Sequence, residues 1–467
     1  NKQVIDILDS SPKYIYTADL NNDGHVDLLS SGHQFVNQIN WYQNDGNGNF
    51  SGQKYIDSTR AAKMTVADMN NDSLPDVIAG RFWYENTGAG TFSNKKMLSN
   101  NPSGFSFPAD LNNDGHMDAL HSNGHGLGWT QNLGNGNFDQ YNVIQNSINR
   151  LRSLHYDDLN NDGYQDIISG SSGDNKVAWH ENKGNGNFTM HVVAVKESDG
   201  VYSVNTCDMN GNNHPDIIVS SINDGQVIWY PNDGSGNFGN YHVIDSTARG
   251  ARQVLTSDMN NDSLLDVIVV AEWSKHVFLY ENNGNGTFSP PIEVTDSIYN
   301  LETAAIADIN ADGHKDVVAA ASGSIIWYRN DGNGNYISEG TIINGYSADY
   351  KIEDELIARD LNGDNYPDIV TPNVDGTGYY ENNGNGTFTF QDFGYSYKDF
   401  PIAAVEDIDN DGDYDIITDW YCYINDGNGN FPEVYPISAD NNISELSLNI
   451  VDLNNDSLPD IVRGYDN

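Results

Sequence analysis

Residues 19–50 read DLNNDGHVDLLSSGHQFVNQINWYQNDGNGNF, and two patterns in this stretch recur along the whole chain. The first runs Asp19-x-Asn21-x-Asp23-x-x-x-Asp27. The second runs Trp41-Tyr42-x-Asn44-x-Gly46-x-Gly48-x-Phe50. The Asp pattern opens again at Asp68, Asp110, Asp158, Asp208, Asp258, Asp308, Asp360, Asp407 and Asp452. The aromatic pattern begins again at Trp83, Trp129, Trp179, Trp229 and Trp327, with degenerate copies at Leu279, Tyr379 and Cys422. The two alternate without a linker or a composition break. Self-similarity at a fixed period marks a repeat architecture.

Each unit resolves into four short strands. In the sixth, residues 254–257 lead into the Asp258 loop, 266–270 form an apolar β-branched run, and 276–280 form a third strand. Asn282 to Gly286 is a turn of residues that tolerate positive φ, and a fourth strand follows Phe288. Four short strands per unit predict an all-β fold, a β-propeller of four-stranded blades with about ten repeats. The apolar runs are too short and too β-branched for a helical solenoid. Residues 1–467 are expected to form one continuous body, with the aromatics filling the space between blades. Residues 4–7 match a fourth strand, and the unit opening at Asp452 has no third strand. Ten blades exceed the usual four to eight. The ring size therefore stays open, with two tandem rings or a segment of a longer array as alternatives.

The chain has 67 acidic and 22 basic residues, a net charge of −45. The acids recur at fixed spacing between aromatic strands, which is not the composition of a disordered acidic tail. A compact body this acidic repels itself unless cations bind, and it is a poor partner for nucleic acid or an anionic membrane. No apolar run is long enough to span a membrane, so direct membrane insertion is not expected. The two cysteines, Cys207 and Cys422, occupy unlike positions in different repeats, which argues against a disulfide. Asn1 rather than Met at the start suggests that a signal peptide or longer precursor has been removed.

The Asp pattern has the chemistry of a calcium loop. Calcium takes six to eight hard oxygen ligands at about 2.3–2.6 Å. Side chains at positions 1, 3 and 5 of a tight loop converge, position 7 offers a backbone carbonyl, and a carboxylate at position 9 closes the cage. In the first loop these are Asp19, Asn21, Asp23, His25 and Asp27, and in the second Asp68, Asn70, Asp72, Leu74 and Asp76. The third has Asp110, Asn112, Asp114, His116 and Asp118, and the fourth Asp158, Asn160, Asp162, Tyr164 and Asp166. The fifth has Asp208, Asn210, Asn212, His214 and Asp216, and is the weakest because Asn212 replaces a carboxylate. The sixth has Asp258, Asn260, Asp262, Leu264 and Asp266, and the seventh Asp308, Asn310, Asp312, His314 and Asp316. The eighth has Asp360, Asn362, Asp364, Tyr366 and Asp368. The ninth, the most charged, has Asp407, Asp409, Asp411, Asp413 and Asp415. The tenth has Asp452, Asn454, Asp456, Leu458 and Asp460. No Glu stands at position 12 and no helix flanks the loop, so it is a strand–loop–strand site rather than an EF-hand. A set of metal-free Asx-turns is the plain alternative, and ten spaced copies weigh against it. About one calcium per repeat is expected, in a structural role, and many modest calcium sites imply a secreted or cell-surface protein.

At this level of detail the residues resemble the FG-GAP/VCBS repeat, the unit of integrin α-subunit propellers and of many secreted bacterial and fungal proteins. The resemblance rests on Asp19-Leu-Asn-Asn-Asp-Gly-His-x-Asp27, its apolar strand, and Asn44-Asp-Gly-Asn-Gly-Asn-Phe50. It implies a propeller with calcium between the first and second strands of each blade. The family is commonly seven-bladed, so ten copies depart from it. Family functions range over adhesion, lectin activity and polysaccharide cleavage, and a shared fold does not choose among them.

The connections opposite the calcium loops vary more, and variable loops on a rigid scaffold are where recognition usually lives. They include residues 33–37, 121–125, 174–176, 273–276, 346–355 and 393–400. Basic pairs recur there in alternate repeats, at Arg60/Lys63, Arg150/Arg152 and Arg249/Arg252, among at least as many acids. The aromatic segment from Phe393 to Phe400 would suit packing within its loop or stacking on a sugar. Seven Asn-x-Ser/Thr sequons begin at Asn71, Asn187, Asn261, Asn285, Asn385, Asn442 and Asn455, three of them inside calcium loops. Four histidines take position 7 of a loop, leaving His121 and His125 as the pair closest to a catalytic cluster. No phosphate loop, nucleophile elbow or dinucleotide fingerprint is present. The expected role is a secreted calcium-binding module for adhesion, glycan binding or surface structure. Its partners would be an extracellular glycan, a surface protein or further copies of itself. The alternative is a calcium-dependent polysaccharide lyase or hydrolase on a propeller scaffold.

Overall fold

The computed structural model describes residues 12–32, 38–47, 49–58, 64–88, 90–98, 105–122, 126–134, 136–195, 199–284, 286–321, 324–344, 356–370, 378–393, 402–409, 411–418, 421–436, 447–452 and 459–464. Residues 4–7, matched to a fourth strand above, lie outside them. The described residues form nine four-stranded antiparallel sheets and a tenth of two strands, numbered as blades 1 to 10 in chain order from first strands that begin at Pro12, Met64, Phe105, Leu151, Val201, Ala251, Leu301, Ile357, Ile402 and Ser447. The fifth sheet is typical, with strands Val201–Cys207, Asp216–Ser221, Val227–Tyr230 and His242–Asp245 paired in chain order. The sixth confirms the strand at His276–Tyr280 and lengthens its neighbours to Ala251–Ser257 and Asp266–Ala271. The tenth sheet consists of Ser447–Val451 and Asp460–Gly464. No helix long and apolar enough to cross a membrane is present among the described residues.

The second strand of each blade opens on two consecutive apolar residues after its Asp because both of its faces are covered. Val77 packs with Leu29 and Trp41 of sheet 1, while its neighbour Ile78 packs with Ala119 of sheet 3. The same alternation joins sheets 3 to 4 through Leu120 and Ile167, 4 to 5 through Ile168 and Ile217, and 5 to 6 through Ile218 and Val267. Ile268 with Val317, Val318 with Ile369, and Val370 with Ile416 carry it on to sheet 9. Ile450 and Ile461 of the last sheet pack against Ile417 and Cys422 of sheet 9, and Val451 packs against Ile15, Leu28 and Tyr42 of sheet 1. The last sheet thus lies between the ninth and the first, and the line of sheets returns to its start.

Tryptophan and phenylalanine fill these interfaces. Each Trp meets the Phe of the following blade edge to face: Trp83 with Phe138 at 5.2 Å, Trp179 with Phe238 at 5.6 Å, Trp327 with Phe388 at 6.1 Å. Such pairs add about 0.5–1.5 kcal/mol beyond their buried area. The degenerate copies keep the contact in other ways. Leu279 packs with Tyr336, and Tyr379 meets Phe431 while donating its hydroxyl to the Gly429 carbonyl at 2.8 Å.

First strands lie innermost. Adjacent ones are cross-linked by Thr206 Oγ1 donating to Asp157 Oδ2 at 2.7 Å and by Ser153 Oγ donating to the Val204 carbonyl at 3.2 Å. Fourth strands form the rim, where Tyr55, Val143, Val192, Val243 and Tyr435 are exposed.

Candidate metal centre

Nine loops repeat one hydrogen-bond plan. The position 1 carboxylate accepts the amide of position 6, as in Gly24 to Asp19 (2.8 Å), Asn213 to Asp208 (2.7 Å) and Gly412 to Asp407 (3.0 Å). The position 5 side chain accepts the amide of position 7, as in His25 to Asp23 (3.0 Å) and Leu264 to Asp262 (2.8 Å). Position 3 accepts the amide of position 5, as in Asp23 to Asn21 (2.9 Å). These bonds fold the backbone inward and hold side chains 1, 3 and 5 on the concave side. Asn212 keeps the plan in the fifth loop, accepting from His214 at 2.9 Å, so the substitution costs a charge and not the fold. Asn454, Asp456 and Leu458 of the tenth loop lie outside the described residues.

The turn needs left-handed backbone at positions 4 and 6. Asn22, Asn71, Asn161 and Asn261 supply it at position 4, and Gly24, Gly115, Gly163 and Gly313 at position 6. The seventh loop instead has Ala311 at φ 56°, where a Cβ is disfavoured by about 1 kcal/mol. Ala311→Gly is therefore expected to raise the denaturation midpoint in calcium by about that free energy. An unchanged or lower midpoint in urea would count against the strain.

Position 9 is the buried anchor. The Asp27 carboxylate accepts the Leu20 amide at 3.0 Å and the Asn44 amide at 2.8 Å, and the equivalent pair recurs up to Asp415 with Ile408 and Asn425. In blade 7 the Trp327 indole also donates to Asp316 at 3.1 Å. Burial, and then the neighbouring carboxylates, push these groups up: Asp27, Asp166, Asp216, Asp266, Asp316 and Asp415 to about 6, and Asp76, Asp118 and Asp368 to about 7. A carboxylate held this way is stabilised by a nearby cation. In the ninth loop, where position 3 is also an acid, oxygens of Asp407, Asp409 and Asp415 all lie within 4.8 Å of one another. That is the spread one ion spans with ligands at about 2.3–2.6 Å. Every side-chain donor in the plan is a hard oxygen, so the residues fit calcium.

The position 7 side chains point elsewhere. A Cβ added at Gly46 would fall 2.3 Å from the His25 ring, and Gly234 stands in the same relation to His214, Gly184 to Tyr164 and Gly384 to Tyr366. The first glycine of each Gly-x-Gly turn thus makes room for the position 7 side chain of its own blade. The second makes room for the preceding blade's Trp, as Gly236 does for Trp179. These histidines are packing groups that leave their carbonyls to the loop.

Two features escaped the sequence reading. One is the buried asparagine that opens each Gly-x-Gly turn. Asn232 gives its amide to Asp216 at 2.7 Å, and its Nδ2 donates to the carbonyls of Pro215 (2.9 Å) and of Leu159 (2.6 Å), which belongs to the loop of the preceding blade. Asn132, Asn282, Asn330, Asn382 and Asn425 repeat this brace. The other is the position 4 asparagine, which reaches the following loop: Asn161 contacts His214 Nδ1 at 2.7 Å, and Asn261 donates to the Gly313 carbonyl at 2.9 Å. The available signal was recurrence: the turn asparagine stands in every Gly-x-Gly turn, and the position 4 asparagine in most loops, replaced by Gly211, Ala311 and Gly363 in the others. Two of the sequon asparagines, Asn71 and Asn261, have their side-chain amides engaged in this way.

The histidine raised as a catalytic candidate does not reach a surface. His121 is 2% exposed, bridges Ser106 Oγ (2.8 Å) and Thr130 Oγ1 (2.9 Å), and burial pulls it down to about 4. His125 lies outside the described residues. A buried neutral histidine binds its proton first in the unfolded chain, so its contribution is full above about pH 6.5 and is lost as pH falls toward 4. His121→Gln is expected to lose about 2 kcal/mol less than the wild type between pH 7 and pH 5, by urea denaturation in calcium. Equal losses would contradict the assignment. Phe393 packs on Tyr423 at 4.2 Å and Phe431 at 4.7 Å, between blades 8 and 9. The rest of its segment, and the pair Arg60/Lys63, lie outside the described residues.

A model of the FG-GAP-like repeat matches residues 19–79, 158–219, 208–269, 258–319, 308–371 and 360–418, well over half of the chain. The chain belongs to the FG-GAP-like repeat family. No curated protein matches this FG-GAP-like chain. Among solved structures it is similar to an Agrocybe aegerita lectin described as recognising non-reducing terminal N-acetylglucosamine, at 20% identity over 62% of this chain and 81% of that one, with a TM-score of 0.36. It is also similar to the biofilm matrix protein Bap1 of V. cholerae, at 11% identity over 98% of this chain and 87% of that one, with a TM-score of 0.37.

Proposed function

We propose that this FG-GAP-like chain is a secreted calcium-binding propeller that acts as an extracellular adhesion, glycan-binding or structural surface module. The observation that supports calcium best is the ninth loop, whose three convergent carboxylates share a hydrogen-bond plan with eight other loops. Each ion adds two positive charges, so ten would bring the net charge from −45 to about −25 and relieve the self-repulsion of a compact acidic body. Position 1, 3, 5 and 9 side chains with the position 7 carbonyl would hold each ion, which would cross-link the first two strands of its blade. With the loops rigid, the variable connections on the opposite face are free to recognise an extracellular glycan or a surface protein, or to contact further copies of the chain.

Calorimetric titration of the chelator-stripped protein tests the metal reading, with about one calcium per loop expected. No binding at millimolar calcium would end it. Affinity electrophoresis in calcium against neutral and acidic polysaccharides tests the partner class. Retarded migration with intact glycan supports a binder, and shortened glycan would reveal an enzyme instead.

A further inference from the structure

On the face opposite the calcium loops, blade 6 differs from its neighbours. Its turn between second and third strands carries Trp273 where blades 4 and 5 have Gly173 and Asn223. Trp273 is 49% exposed. The next connection carries Tyr299, 72% exposed, where the preceding ones have Asp199 and Arg249. Blade 7 pairs Ala321 directly with Ser324, a shorter turn than the one beside each of those two residues. Two large aromatics are therefore exposed on adjacent connections of this face, whereas Trp41, Trp83, Trp129, Trp179, Trp229 and Trp327 are buried.

The platform is held rigid from both sides. Glu272 N donates to Gly250 O at 3.0 Å, and Ser274 N to Arg249 O at 2.8 Å, on the preceding connection. Ile298 N donates to Lys275 O at 2.8 Å, on the following one. Gly250 lets Trp273 lie directly against it, since a Cβ there would fall 2.8 Å from the indole Cγ. Around the rings, Lys275 Nζ sits 3.5 Å over the Tyr299 ring, and Arg252 pairs with Glu272 at 3.5 Å. Arg249 is exposed and has no carboxylate partner among the described residues. Among the described residues neither Lys275 nor Arg249 forms an ion pair, so two cations without a carboxylate partner flank the Trp273 turn on a chain that is otherwise strongly acidic.

We propose that Trp273, Tyr299, Lys275 and Arg249 form a binding site for one acidic pyranose unit, a uronic acid residue of an extracellular polysaccharide. The apolar C–H face of the sugar stacks on the Trp273 indole, a rigid surface with little entropy to lose. Its carboxylate faces Arg249 and Lys275, and the Arg252–Glu272 pair supplies donors and an acceptor for hydroxyl groups. The site rests on the reading of the chain as a glycan-binding module.

The test is calorimetry on the full calcium-loaded chain with tetraglucuronate and with cellotetraose, which share a linkage and differ in the carboxylates. The wild type is expected to bind tetraglucuronate at least about tenfold tighter, and Trp273→Ala to lose about tenfold or more of that affinity with its melting temperature unchanged. The double variant Arg249→Ala/Lys275→Ala is expected to remove the preference for tetraglucuronate. Absence of tetraglucuronate binding by the wild type, or equal affinity for cellotetraose, would overturn the proposal. Binding that survives Trp273→Ala would overturn this site while leaving a glycan-binding role in place. Calcium-dependent melting of the same samples reports separately on the metal reading.

Discussion

Addition of EGTA at pH 8 is expected to lower the melting temperature of this FG-GAP-like chain by on the order of 20 °C. A ligand at a hundred times its dissociation constant stabilises the folded state by about 2.7 kcal/mol per site. Nine comparable loops then contribute on the order of 25 kcal/mol, against an unfolding entropy of about 1 kcal/mol/K for a chain of this length. The effect is large because every loop but the fifth gathers carboxylates at positions 1, 5 and 9 that repel one another without a cation, and because position 9 is buried. Asp76, Asp118, Asp166 and Asp368 are wholly shielded from solvent.

The same burial sets a pH dependence that separates a calcium effect from a nonspecific salt effect. Without the ion, the position 9 carboxyls titrate at about 6 to 7, above their value in an unfolded chain. The cation-free folded state therefore binds more protons than the unfolded state between about pH 4 and pH 7. Its stability rises as pH falls through that window and is lost as pH rises through 7. Calcium must displace those protons, so it binds less well in acid. The gap between melts in calcium and in EGTA is expected to be narrower at pH 5 than at pH 8. His121 and His180, both pulled down to about 4 by burial, destabilise the fold in acid, but they do so in both arms and cancel from the difference. A gap that is absent at pH 8, or wider at pH 5, would show that the loops do not hold calcium.

Much of this architecture was legible because a propeller blade is a local object. The Asp258 loop, the run from Asp266 and the strand His276–Tyr280 are contiguous in sequence and pair with their immediate neighbours, so period and turn chemistry suffice to place them. The role of Trp229 as an inter-blade residue was also readable, since a large apolar residue at one place in every repeat must pack on the next repeat. The braces were not. Asn232 looks like a turn residue in sequence, and its bond to Leu159 spans 73 positions, a register that only the packing of one blade on another creates. The glycines misled in the same way. Gly234 and Gly236 satisfy a turn at φ 78° and 71°, but they are also the two positions where His214 and the neighbouring Trp179 need the space of a Cβ. Trp273 was visible only as a member of a variable loop, because exposure is a property of what the neighbouring turns leave uncovered.

Among single substitutions outside the metal ligands, Asn232→Leu is expected to have the largest effect. Asn232 is 1% exposed, and every polar atom of its side chain is used: Nδ2 on Leu159 and Pro215, Oδ1 accepting the Gly234 amide at 3.1 Å. Leucine has nearly the same volume, so no cavity opens, but one buried carbonyl, one half-buried carbonyl and one half-buried amide lose their partners. At about 1–3 kcal/mol for each group left unsatisfied, and toward the low end for the two half-buried ones, the cost is about 3–6 kcal/mol. Asn182 provides the internal control. Its Nδ2 donates to Gln165 within its own blade at 3.2 Å, without the bond to the preceding loop, so Asn182→Leu is expected to cost less. The two variants also differ in their effect on the metal. Leu159 is position 2 of the fourth loop and donates its own amide to Asp166 at 3.1 Å, while Asn232 donates to Asp216 of the fifth. Leucine keeps the backbone amide that Asp216 accepts, but loss of the side chain frees the Leu159 carbonyl beside the fourth-loop anchor and the Pro215 carbonyl beside the fifth, and calorimetric titration should find two weakened calcium sites in Asn232→Leu against one in Asn182→Leu. Equal melting of the two variants, with equal calcium stoichiometry, would mean that the blades are joined by apolar packing alone and that the asparagine brace couples nothing.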